Sequence, residues 1–176
     1  ILGGITVLLE LPPTVVTLHL VTAELIFGLL LATLVWAWRT LRPQVPLADP
    51  RVRRWAAAGA LATLVVIVSG SYIVGGGAGT ACPKWPLCDG GVLPSYGTGW
   101  VHMAHRLIAA FGALLAVWAA RTAWRSRDHS TSIGWAGAVA GGVVIAQMVV
   151  GAANPWTDFS TVARVAHLSL ATAMWG

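Results

Sequence analysis

The chain has 176 residues, 57% of them hydrophobic and 10% charged, with a formal net charge of +5. Soluble domains carry about 25% charged residues. The apolar residues here come in blocks near the roughly 20 needed to cross a bilayer, so the chain reads as an integral membrane protein rather than a soluble one. The positive charge is not a nucleic-acid footprint. Ten of the eleven basic residues are arginines, and eight of those stand in two short clusters, the pattern of cytoplasmic loops.

In chain order, Ile1 to Leu9 reads as the tail of a spanning helix, ended by "ELPP". The first complete helix is expected from Pro13 to Trp38, with proline at a first position where its missing N–H costs nothing. "RTLRPQVPLADPRVRR" follows, and a second helix is expected from Trp55 to Val74. The glycine- and proline-rich "GGGAGTACPKWPLCDGGVLPSYGTG" leads to a third helix, Trp100 to Ala120, and "RTAWRSRDHS" to a fourth, Ile133 to Ala152. After "ANPWTDFS" a fifth begins near Ser160. Ile1 opens inside an apolar run and Gly176 falls in mid-helix, so the sequence reads as a piece of a longer chain.

Arginines load alternate loops, at 39–54 and 121–127, which places those loops in the cytoplasm and the cysteine loop outside. Tryptophans agree: Trp36, Trp38, Trp55, Trp118, Trp124 and Trp135 fall at the inner boundary, Trp100 and Trp156 at the outer one. In a bacterium the outer side is oxidising, so Cys82 and Cys88, the only cysteines, are expected to be bridged. The pair is either a structural staple or a redox-active dithiol. Its spacing is not the Cys-X-X-Cys tuned for exchange, which favours the staple. With no third ligand nearby, zinc is not expected.

Of five histidines, His129 lies in an arginine-bearing loop and is expected to be solvated. His19, His105 and His167 sit on three helices that enter from the same side, each near its start, and His102 lies one turn above His105. Intramembrane ionisable groups are expensive and usually functional. One such histidine is commonly a helix-pairing hydrogen bonder. Three at one depth suggest imidazoles that ligate haem iron from both faces. Arg106 is the first candidate partner for the haem carboxylates, ahead of Arg164 and Lys84; alternatively it snorkels or pairs helices. Glu24 is either a proton or hydrogen-bond partner inside the bundle or a residue packed against another helix, and Gln147 a helix-packing hydrogen bonder.

Aligning His19 with His167 places "HLVTA" on "HLSLA", Gly3 on Gly151 and Glu10 on Asp158. A duplicated bundle explains this, with an absent N-terminal part mirroring Trp55 to Val150. The fold expected is an all-α membrane protein, a pseudo-symmetric pair of four-helix bundles of which about five to six helices are present. Residues 1–42 would be the last helices of the first bundle, 43–54 a cytoplasmic linker, and 55–176 a truncated second bundle.

These segments resemble the haem A synthase family. "GTACPKWPLCDG" looks like its outer-loop cysteine motif and "HMAHRLIAAFGALLAV" like its His-Arg helix. "QMVVG" with "VARVAHLSLA", and "GGITVLLELPPTVVTLHLVTAELI", look like its paired last helices in the second and first halves. The resemblance covers nearly the whole chain. It implies oxidation of a haem O methyl group to the formyl group of haem A in the cell membrane of a bacterium, for terminal oxidases. It implies haem b between His105 and His167, with Arg106 beside it, and substrate haem O held by His19 in the first half. The catalytic glutamate would lie outside this chain, and His102 stands at its equivalent in the second half. The Cys82–Cys88 pair would cap the haem pocket. The membrane lipid, haem O synthase and a terminal oxidase assembly factor are the implied partners. A quinone-linked b-type cytochrome subunit, a membrane thiol oxidoreductase working through the two cysteines, and a non-catalytic haem carrier are the rival readings.

Overall fold

The computed structural model describes residues 3–4, 12–43, 48–91 and 93–176. The expected helix tail before Pro13 therefore lies outside the described residues, apart from Gly3 and Gly4, which are helical; Glu10 lies outside them too. Five helices follow: α1 (Pro13–Leu41), α2 (Pro50–Gly75), α3 (Gly97–Arg125), α4 (Thr131–Trp156) and α5 (Thr161–Trp175). The first four are long and apolar enough to cross a membrane, and the described residues contain no strand. The chain is thus an all-α protein of membrane-spanning helices.

Every expected helix is present, and most run past the apolar block that announced them. α1 continues to Leu41, α2 opens at Pro50 rather than Trp55, and α3 continues to Arg125. The reason is local. Arginine is a good helix former, and its long stem lets the charge leave the apolar layer without ending the helix. α2 opens on Asp49, whose carboxylate accepts the Arg51 N–H at 2.7 Å, with Pro50 in the first turn. α5 opens on Ser160, whose hydroxyl accepts from Ala163 N–H at 3.3 Å. Pro155 lies inside the last turn of α4. It supplies no N–H to the carbonyl one turn back, that of Gly151.

Packing runs α2 on α3, α3 on α4, α4 on α5, and α5 back on α2, so these four helices close a ring. α1 stands outside it, against α2 and more lightly against α5. Small residues bring the helices close. A Cβ at Gly59 would lie 3.3 Å from Ala119, and one at Gly112 only 2.7 Å from Val66 Cγ2. Large apolar side chains face outward instead, among them Trp36, Leu41, Leu114 and Val139, as expected where the solvent is lipid. The tryptophans expected at the arginine-bearing boundary meet edge to face, Trp55 with Trp118 and Trp124 with Trp135.

The repeat suggested by sequence reappears in space. Phe27 and Gly28 align with Trp175 and Gly176. A Cβ at Gly28 would meet the Trp175 ring at 2.9 Å, and one at Gly176 the Phe27 ring at 2.7 Å. Such reciprocal contacts are what a two-fold axis produces. On the same line Thr172 donates to Glu24 Oε1 at 2.7 Å, two positions separated by the repeat offset of 148. Trp175 Nε1 also donates to the Glu24 carbonyl at 2.8 Å. Glu24 is buried, and its Oε2 has no partner among the described residues.

Candidate functional site

His105 on α3 and His167 on α5 occupy diagonally opposite helices of the ring. Each ring rests on a glycine of a neighbouring helix. A Cβ at Gly70 of α2 would lie 3.1 Å from His105 Cε1, and one at Gly151 of α4 would lie 2.9 Å from His167 Cε1. The seats exist because glycine alone leaves room for an imidazole against the backbone. His19 on α1 repeats the device: a Cβ at Gly3 would lie 3.2 Å from its Cε1. His19 itself is exposed.

One hydroxyl bears on the tautomer of His105. Ser69 Oγ donates to the Val66 carbonyl at 2.8 Å, which uses its only proton. With that proton on the carbonyl, its 2.8 Å contact with His105 Nδ1 is one accepted from Nδ1–H. Nε2 is left with the lone pair, the state in which imidazole binds a metal. His167 differs: the hydrogen-bond neighbour of its ring is the Gln147 main chain on α4, with no contact of Nδ1 among the described residues as close as that of Ser69 with His105, and Gln147 Oε1 is buried with no partner among them. Ser69 and the glycine seats were not singled out from sequence. The visible signal was the "SGS" at 69–71, a polar interruption of an apolar run.

Above the histidines lies the cysteine loop, closed by the Cys82–Cys88 disulfide. Both half-cystines are fully buried. A Cβ at Gly99 would strike Pro94 at 2.9 Å and the Cys88 sulfur at 3.3 Å, so the start of α3 lies directly under the bridge. Arg106 is the loop's main tether. Its Nη1 donates to the carbonyls of Lys84 (2.7 Å), Pro86 (3.1 Å) and Leu87 (3.3 Å), and its Nη2 to that of Cys82 (3.1 Å). The residue singled out as a carboxylate partner is thus engaged by main-chain carbonyls, which have no signature in sequence. His102 is buried and also serves the loop, with Nδ1 3.0 Å from the Ala78 carbonyl. Tyr96 donates to the Ala81 carbonyl. On the exposed rim the Ser95 hydroxyl, 3.0 Å from Asp89, holds that carboxyl below the usual carboxylate range.

A second segment completes the cover. Asp158 and Phe159, between α4 and α5, adopt positive φ of 48° and 55°. This is an uncommon conformation for a bulky residue, and it brings the Phe159 ring edge-on to His102 at 6.3 Å. Trp85 of the loop meets Trp156 at 5.8 Å. His129, Arg164 and Lys84 are exposed.

The residues fit a haem. Two imidazoles on diagonally opposite helices are set on glycine seats that a methyl group would crowd, at 3.1 Å for His105 and 2.9 Å for His167. A cavity of about 580 Å³, lined mainly by apolar side chains with His105, opens between α1, α2 and α3, on the side of His105 away from His167, which is not in its lining. Among the described residues no group of three or more histidines, cysteines or carboxylates comes together. Two imidazoles alone would leave a bare ion under-coordinated, whereas a porphyrin brings its own four nitrogens.

Comparison with known proteins agrees with this geometry. The COX15-CtaA family profile, described as cytochrome oxidase assembly protein, matches residues 1–176. A protein named "Heme A synthase" from Symbiobacterium thermophilum is 32% identical over 188 aligned residues, covering 99% of this chain and 60% of its own length. One of the same name from Methylobacterium sp. is 32% identical over 180, covering 93% and 49%. A third, from Geobacillus kaustophilus, is 31% identical over 118, covering 64% and 36%. The chain therefore spans about 60% or less of these relatives. With its whole length matched, the chain belongs to the COX15-CtaA family of cytochrome oxidase assembly proteins.

Proposed function

We propose that this chain forms part of a haem A synthase, which oxidises a methyl group of haem O to the formyl group of haem A for terminal oxidases. The pair of glycine-seated imidazoles, His105 and His167, under a buried disulfide loop carries the reading, and the family's link to oxidase assembly supports it. In this reading His105 and His167 hold a resident haem b in the α2–α5 bundle, and His19 holds substrate haem on the side of α1. Bound there, haem b would supply one-electron relay at a potential set by its axial ligands and burial. Ser69 keeps the His105 lone pair on Nε2. Gly70 and Gly151 fix the height of the two rings.

Arg106 serves the site through the loop it clamps. His102 fixes the loop's first turn, leaving the catalytic carboxylate to the other half of the protein. The loop keeps water from the outer end of the bundle, on the non-cytoplasmic face of a bacterial plasma membrane. The sulfurs of Cys82 and Cys88 are closed to an exchange partner, so the pair acts as a staple, which disfavours a thiol oxidoreductase. The partners follow from the chemistry: an enzyme that makes haem O upstream and an oxidase assembly factor downstream.

The test is expression of the full-length protein with a supply of haem O, followed by chromatography of extracted haems. Appearance of haem A or its hydroxylated precursor, lost on replacing His19, is the expected result. Bound haem b with no conversion would overturn the synthase reading in favour of an electron-transfer subunit.

A further inference from the structure

A cavity of about 220 Å³ at the arginine-bearing end belongs to neither histidine site. Arg51 and Asp49 line it from the start of α2, and Trp118, Arg121 and Arg125 from the end of α3. The α3 residues recur at three- and four-residue spacing, so they share one helix face. Arg121 and Arg125 are one turn apart with like charge and repel. Among the described residues Asp49 is the only acid in the lining, and its Oδ1 is occupied in capping α2 through Arg51 N–H. Among the described residues, none of the three arginines is in an ion pair; the pair present there is Arg127 with Asp128. Residues 44–47 are Gln-Val-Pro-Leu and carry no charge.

The hydroxyls at the cavity are already committed as donors. Thr122 donates to the Ala119 carbonyl at 2.7 Å and Ser126 to that of Thr122 at 3.2 Å. Three guanidiniums are therefore the donors offered to whatever enters, with positive charge in excess. Guanidinium is suited to bidentate binding of phosphate oxygens. Trp118 forms the wall toward the apolar layer, in edge contact with Trp55 at 5.9 Å, and indoles settle at the headgroup level of a bilayer.

We propose that this cavity binds the phosphate of an anionic phospholipid, its acyl chains running down the lipid-facing side of α2 and α3. The depth argues for a lipid over a free oxyanion: the tryptophan wall puts the arginines at the bilayer surface, where anionic headgroups are concentrated and attract basic side chains.

The test uses full-length protein purified in detergent and stripped of lipid. Phosphatidylglycerol and phosphatidylcholine are added in turn and bound lipid is counted by native mass spectrometry. Retention of phosphatidylglycerol over phosphatidylcholine is expected, about 10–30-fold weaker in the Arg121→Gln/Arg125→Gln variant. Equal retention of the two lipids, or equal retention by the variant, overturns the proposal. Displacement of phosphatidylglycerol by millimolar inorganic phosphate also overturns it, because the site would then read a free oxyanion. Should the double variant misfold, Arg51→Gln alone is expected to show a partial loss, and no loss there counts against the site.

Discussion

Both imidazoles of the α2–α5 bundle rest on a glycine of the next helix, but they differ in what meets the ring: a side-chain hydroxyl, Ser69, stands 2.8 Å from His105 Nδ1, whereas the hydrogen-bond neighbour of His167 is the main chain of Gln147. The height of each ring is thus fixed by backbone approach, and the identity of its free nitrogen by a separate hydroxyl. The two properties can be broken independently. Of the two candidate ligands, His105 is oriented by a side chain that can be substituted, and His167 by main-chain atoms alone.

The largest effect should come from deleting either ring. His105→Ala and His167→Ala are each expected to abolish the low-spin, bis-imidazole absorption spectrum of the bound haem. Added imidazole should restore it better at position 167, where no side-chain hydroxyl has to be met at 2.8 Å. An unchanged spectrum in either variant sinks the ligand assignment. Equal rescue at both positions removes the asymmetry while leaving the ligands in place.

Next in size is the tether common to both sites. Arg106→Gln removes a guanidinium that bonds four main-chain carbonyls, and hydrogen bonds from charged donors contribute about 1.5–3 kcal/mol where they are buried. Arg106 is only partly buried, which discounts that figure. Faster amide exchange across residues 82–88 is the expected readout, with the histidine helices unaffected. Arg106→Lys should rescue little, since one ammonium has no planar fork. Unchanged exchange would show that the disulfide holds the loop alone.

Much of this arrangement could be read before any coordinates. Five apolar blocks, arginine-loaded alternate loops and three histidines near helix starts gave the spans and the candidate ligands, because lipid imposes those patterns on sequence directly. The repeat was visible as Gly3 on Gly151 and His19 on His167, though its meaning was not: the glycine of each pair is the seat of its histidine. What stayed hidden depends on main-chain atoms. The four carbonyls that Arg106 meets have no signature in sequence, because every loop carries them. Phe159 reaches His102 through a left-handed backbone that its residue type disfavours. The helices overran their apolar blocks because arginine stems carry charge out of the membrane without breaking the helix.

The glycine seats can be tested against each other. A methyl group at Gly151 would lie 2.9 Å from His167 Cε1, inside the distance real contacts reach, and one at Gly70 would lie 3.1 Å from His105 Cε1. Gly151→Ala must push the ring or separate α4 from α5, and overpacking of this kind costs about 1–3 kcal/mol. Gly70→Ala needs a few tenths of an ångström, and Ser69 opposes rotation of the ring. Haem affinity measured by titration of the apoprotein should fall more for Gly151→Ala than for Gly70→Ala. The reverse order would mean that the seat matters less than the hydroxyl.

The smallest effect isolates that hydroxyl. Ser69→Ala leaves the ring of His105 on its seat and removes the acceptor of Nδ1–H, a net loss of about 1 kcal/mol of hydrogen bonding. An Nδ1–H that is hydrogen-bonded makes imidazole a stronger donor to ferric iron, so its loss should raise the midpoint potential of the haem and weaken binding by about tenfold. Ser69→Thr keeps a hydroxyl at the same atom and should restore both. Ser69→Ala acts on the side of His105 alone, because the neighbour of the His167 ring is the Gln147 main chain, which no substitution removes. A potential that does not move in Ser69→Ala would place the control of this ligand elsewhere, in the seat and the burial that the two histidines share.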